Sequence, residues 1–115
     1  LLAFGLSIGG VLVIVDALGG TPQEVPEMYR LYSPITHAGP HCPPPLQFFG
    51  THDFFMDGKH GRKLDQALVD AGVPSILVEL PGVEHGFDAN PFRRISPAAQ
   101  AVEYDIERFL GLMVE

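Results

Sequence analysis

Two short segments hold side chains suited to acid–base chemistry. The first reads Phe49-Gly50-Thr51-His52-Asp53, with Asp57 four positions further on. The second reads Leu80-Pro81-Gly82-Val83-Glu84-His85-Gly86-Phe87. A carboxylate beside a histidine has a defined use. It accepts a hydrogen bond from one imidazole nitrogen, holds the tautomer and stabilises the imidazolium. The other nitrogen is then free to take a proton from a nucleophile. The two segments lie far apart in the chain, so such a pair depends on the elements that carry them.

Each segment follows a stretch that reads as a strand. Leu46-Gln47-Phe48-Phe49 is a short apolar run ending at Gly50, and it predicts a buried strand. Ser75 to Leu80 is rich in β-branched residues and predicts a second. Between them, Leu64, Ala67, Leu68 and Ala71 recur at helical spacing, and Gly72 is placed to end that helix in the left-handed conformation. Residues 50–61 and 81–95 read as loops. Ser96-Pro97 opens a last helix as cap and first residue. Its apolar stripe is Ala99, Val102, Ile106, Phe109, Leu110 and Met113. Upstream, Thr21-Pro22-Gln23-Glu24 reads as a capping box starting a short helix. The proline-rich residues 33–45 read as an ordered loop. Strands alternating with helices predict an α/β fold: parallel strands with covering helices. In such sheets chemistry sits in loops at the carboxyl ends of strands, where Asp53 and His85 both fall.

At 115 residues the chain has the length of one small domain. Hydrophobic residues make up 46% and charged residues 18%, which excludes a disordered chain. The net charge of −7, with seven scattered basic residues, argues against nucleic acid and anionic membrane surfaces. The single cysteine, Cys42, rules out an internal disulfide framework and fits a cytoplasmic, reducing setting without excluding secretion. Cys42 with His37 and His41 is weak as a metal site, because the surrounding prolines deny these residues a shared helical face. A small apolar residue in a stiff loop is the better reading of Cys42. The chain begins at Leu1 with no methionine, as expected of a fragment.

Residues from about 19 to 112 resemble the C-terminal part of α/β-hydrolases of the esterase/lipase kind. The resemblance rests on several pieces in order. Gly19-Gly20-Thr21-Pro22 through Tyr29-Arg30 and Ser33-Pro34-Ile35-Thr36 is similar to the segment leading into the acid strand. Pro44-Pro45-Leu46 with Gly50-x-x-Asp53 matches the strand and acid turn. Ala71-Gly72-Val73-Pro74 and Val78-Glu79-Leu80-Pro81-Gly82 match the next helix end and strand, and His85-Gly86-Phe87 matches the histidine turn. The resemblance implies a partial α/β-hydrolase fold with Asp53 as triad acid and His85 as base. Asp57 is the competing acid, less favoured because Asp53 fits the Gly-x-x-Asp turn. Glu84, Asp88, His52 and His60 read as solvated loop residues. His85 itself has a blander reading, as a structural turn histidine. The resemblance further implies a small-molecule ester substrate and no cofactor. Phe54, Phe55 and Phe87 border the site as an apolar acyl pocket or, more plainly, as core.

A hydrolase triad needs a nucleophile before the acid. Gly5-Leu6-Ser7-Ile8-Gly9 is the one strong match. Leu1 to Phe4 would be a strand end, Val11 to Leu18 the following helix, and the Ile8 N–H an oxyanion-hole donor. Residues 1–20 have a rival reading as a buried or membrane helix, with Gly5 and Gly9 as its packing face. Asp16 counts against a lipid-facing span. The family carries another strand between nucleophile and acid, and Gly19-Gly20-Thr21 comes too soon to leave room for one. Two functions therefore stand beside the enzyme. One is a non-catalytic hydrolase module that packs or forms homo-oligomers through an open sheet edge. The other is a domain tethered to a membrane through residues 1–18.

Overall fold

A computed structural model describes residues 8–89 and 96–114. Ser7, the predicted strand at Leu1 to Phe4 and residues 90–95 lie outside the described residues.

The first element is helix α1, Ile8–Leu18. Gly19 follows at φ +81°, a conformation that glycine adopts without steric cost. Thr21 does not cap a helix beginning at Pro22; helix α2 runs Pro26–Leu31, with Val25 as its N-cap. The Thr21–Glu24 pair does form, since Glu24 Oε2 accepts both the Thr21 N–H and the Thr21 hydroxyl at 2.8 Å. It closes a single turn. The residue before a proline is pushed out of the helical region, and Val25 sits at φ −130°, ψ 56°. Pro26 therefore opens the helix. Within the predicted loop at 33–45, Pro34–His37 forms one 3₁₀ turn, with Ser33 at its N-cap position.

Strand β1, Leu46–Gly50, and strand β2, Ile76–Leu80, pair in parallel with Leu46 opposite Ile76 and Gly50 opposite Leu80. Helix α3, Lys59–Asp70, connects them and packs against β2 and the 3₁₀ turn. It starts earlier than its apolar spacing suggested, because Asp57 Oδ1 accepts the Lys59 N–H at 2.9 Å and satisfies a donor of the first turn. Gly72 ends it at φ +80°, as predicted. Helix α4, Pro97–Met113, packs on β1 and is capped by Ser96 Oγ, which accepts the Ala99 N–H.

Among the described residues the buried core is small: Leu68, Val73, Ala99 and Val102. The predicted α4 stripe is buried only in its first half, at Ala99 and Val102. Ile106, Leu110 and Met113 are 40%, 55% and 49% exposed. Among the described residues no strand lies between Ile8 and Pro45, in line with the missing strand the spacing implied. Also among them, no helix is long and apolar enough to cross a membrane.

Candidate active site

Parallel pairing places the carboxyl ends of β1 and β2 side by side, so the two chemistry-bearing loops leave the sheet together. They are joined at once. The Thr51 N–H donates to the Leu80 carbonyl at 3.0 Å, and the His52 N–H donates to the Val83 carbonyl at 3.0 Å. Gly50 makes this closeness feasible. It is buried, and a Cβ there would collide with the Val83 carbonyl oxygen.

Asp53 and His85 meet across these loops. His85 Nδ1 lies 2.8 Å from Asp53 Oδ2. The other carboxylate oxygen, Oδ1, accepts the N–H groups of Phe55 and Met56, each at 2.8 Å. Sequence reasoning missed these two donors. The signal was present, since aspartate readily hydrogen-bonds backbone amides two and three residues on. Burial is the largest single influence on the Asp53 carboxyl and pushes its pKa up. Hydrogen bonds from Met56, His85 and Phe55, with the attraction of the imidazolium, together outweigh burial and hold it below its ordinary value.

An ionised carboxylate only accepts hydrogen bonds, so Nδ1 carries the proton in the pair. In the neutral ring, Nε2 then keeps its lone pair. The Asp53 side chain is 8% exposed and that of His85 48% exposed. The acid is thus enclosed while the imidazole opens to solvent. The Phe55 ring stacks obliquely on the imidazole, with centroids 5.2 Å apart at 43°. Phe54 packs on Phe55 at 4.6 Å and is itself 60% exposed. Phe87 borders a groove between the histidine loop and the start of α4, which Ser96, Pro97 and Ala98 complete.

The other candidates do not join this pair. Asp57 is held by Lys59, through its backbone N–H and through Nζ at 2.7 Å. The lysine side chain, then its backbone N–H, lower the Asp57 carboxyl from its ordinary value. Glu84 and His52 are exposed. Asp88 is exposed too, and His60 is half-buried at the start of α3. The Cys42 thiol donates to the His37 carbonyl at 3.3 Å, while His37 Nε2–H donates to the Leu31 carbonyl at 2.7 Å. Among the described residues no group of three His, Cys, Asp or Glu could hold a metal ion. Ile8 opens the described part of α1.

Comparison with known proteins decides the family. The dienelactone hydrolase family matches residues 3–115. The chain belongs to the dienelactone hydrolase family. As a member it is similar to esterase LipC of Mycobacterium tuberculosis, with 32% identity over 83 residues, or 71% of this chain. It also superposes on a thermophilic esterase from the planctomycete Thermogutta terrifontis, solved with propionate bound. That match has a TM-score of 0.70 and 28% identity over 95% of this chain. Both relatives are longer: the chain spans 21% of the first and 37% of the second. This dienelactone hydrolase family chain therefore has an α/β-hydrolase fold in part, with two parallel strands and their covering helices among the described residues.

Proposed function

We propose that this chain supplies Asp53 and His85 as the acid and base of a Ser-His-Asp triad that hydrolyses small carboxylic esters. One observation carries the reading: the 2.8 Å contact from His85 Nδ1 to a carboxylate whose second oxygen is held by two backbone N–H groups. A fixed acid and an open imidazole suit a base that must turn only one nitrogen toward substrate.

In this reading residues 1–20 form the nucleophile elbow and its helix, and residues 21–115 the C-terminal part of a hydrolase domain. Helix α1 is described from Ile8, and an elbow needs a helix directly after its serine. The Ser7 hydroxyl attacks the ester carbonyl as His85 Nε2 takes its proton. The Ile8 N–H donates to the oxyanion of the tetrahedral intermediate. The C–O bond to the alcohol then breaks, and His85 returns the proton to the leaving oxygen. Water, deprotonated by His85, attacks the acyl-serine and releases the acid. No metal or organic cofactor enters these steps. Phe54 and Phe55 present an apolar flank for the acyl group, with Phe87 nearby. A serine-directed fluorophosphonate probe tests the assignment. Wild type should label, Ser7→Ala should not, and His85→Ala should label much more slowly. Absence of labelling in folded wild-type protein would remove the enzymatic reading.

The shape of the chain favours a second reading, a non-catalytic module that pairs with another chain. Its radius of gyration is 15.8 Å, against about 13 Å for a compact domain of this length. Ile76 on β2 and Leu110 on α4 stay about half exposed. A folded dimer that resists the probe would favour this module.

A further inference from the structure

We propose that Thr51 is a positioning residue: by accepting the Gly82 N–H at 2.8 Å, its hydroxyl sets the histidine loop against Asp53. The inference deepens the proposed esterase reading and rests on it for its catalytic consequence. The need arises where the sheet ends. The last paired residues are Gly50 and Leu80. Pro81 has no N–H, so the ladder of backbone hydrogen bonds cannot continue through it. The next donor in that strand's path is Gly82, whose φ of +71° turns the chain toward the histidine. A backbone carbonyl would ordinarily accept there, and the Thr51 hydroxyl takes its place. Its β-branched side chain has few rotamers, so the oxygen is presented with little freedom.

With the Thr51 N–H on Leu80 and the His52 N–H on Val83, residues 51–52 are stitched to 80–83 by three hydrogen bonds. Asp53 follows that stitch by one residue, and His85 by two. Few bonds rotate between the stitch and the pair. Loosening it should therefore disturb the angle between carboxylate and imidazole before it unfolds the domain. Thr51 touches no substrate in this scheme and acts through the loops.

The test uses isotope-labelled protein and solution NMR, with p-nitrophenyl acetate as substrate. In wild type, the Gly82 amide should exchange with solvent at least about tenfold more slowly than an unprotected amide, as one formed hydrogen bond allows. Thr51→Val keeps the shape and removes the acceptor. It should abolish that protection and speed exchange of the His85 Nδ1 proton about tenfold. It should also lower kcat about tenfold with KM within about twofold. Thr51→Ser should restore all three. A folded Thr51→Val protein with unchanged Nδ1 exchange and kcat would overturn the proposal. So would an unprotected Gly82 amide in wild type, a measurement that stands even if the valine variant does not fold. Wild type without ester turnover, but with Nδ1 exchange that responds to Thr51→Val, would remove the esterase reading and leave the positioning role intact.

Discussion

Replacing Asp53 by Asn and by Ala separates what the carboxylate does for the loop from what it does for the histidine. Three hydrogen bonds end on this side chain. In Asp53→Asn the amide oxygen can still accept from Phe55 and Met56, but the NH₂ group then faces His85. A donor there forces Nδ1 to accept, which moves the ring proton to Nε2, the nitrogen that takes the serine proton in the proposed triad. In serine-protease triads this substitution lowers kcat about ten-thousandfold by imposing the wrong tautomer. That corresponds to about 5 kcal/mol of barrier. The stability cost should be much smaller, about 1 kcal/mol, since two hydrogen bonds only change from charged to neutral acceptors.

Asp53→Ala reverses the emphasis. It strands the part-buried Phe55 N–H, while the exposed Met56 N–H can turn to water. Losing a charge-assisted bond to a part-buried donor costs about 1.5–3 kcal/mol. Urea unfolding gives the stabilities, and p-nitrophenyl ester hydrolysis gives kcat. Activity of Asp53→Asn within tenfold of wild type, in a folded protein, would refute the reasoning.

Acid should weaken the wild type through the same group. The Asp53 carboxyl is held below its ordinary value of 3.8, so the unfolded chain binds more protons near that pH. Its contribution is complete above about pH 5 and is lost as pH falls through the folded value. The stability gap between wild type and Asp53→Asn, followed by acid titration of urea midpoints, should therefore narrow toward low pH; a constant gap would contradict it. Gly50→Ala should cost about 1–3 kcal/mol, because the added Cβ meets the Val83 backbone carbonyl and one loop must shift. Gly61→Ala should cost less, since its Cβ meets the Phe49 ring, a side chain that can move, and alanine favours the helix. Equal losses at Gly50 and Gly61 in urea unfolding would contradict this ranking.

The elements that position the pair were legible because short-range rules agree there. The apolar run before Gly50, the β-branched run before Pro81, Ser96-Pro97 and Gly72 each mark an element end by local chemistry. The start of α2 was misplaced for an equally local reason. Thr21-Pro22 and Val25-Pro26 both carry a helix-opening proline, and only the conformation of Val25 decides between them. The early start of α3 was hidden by Gly58 and Gly61, poor helix formers, while Asp57 supplies the capping acceptor from outside the helix. The second half of the α4 stripe has helical periodicity without burial, since periodicity states which face is apolar and not what covers it. Asp53 and His85 were picked out by family resemblance and loop placement, and the structure brings them to 2.8 Å of each other. The donors that fix Asp53 are backbone groups, signalled only by the tendency of an aspartate to bond amides two and three residues on, and Thr51 reads as an ordinary turn residue.

The site's asymmetry follows from how each partner is held. Asp53 is fixed from its own loop, by amides two and three residues ahead, and would stay ordered without the histidine. His85 has no such anchor among the described hydrogen bonds; its ring is oriented by Asp53 and flanked by Phe55. Information about orientation therefore runs from β1 through Asp53 to the imidazole. Exposure follows the same direction, from an enclosed carboxylate to a half-open ring. A proton shuttle in the proposed role needs that order: the group that moves protons must reach solvent and substrate, while the group that orients it must not move. Gly50, Thr51 and His52 join the two loops above the core, and that joining holds the pair's geometry. A change that keeps the core but opens the loops would remove the geometry on which the proposed chemistry depends.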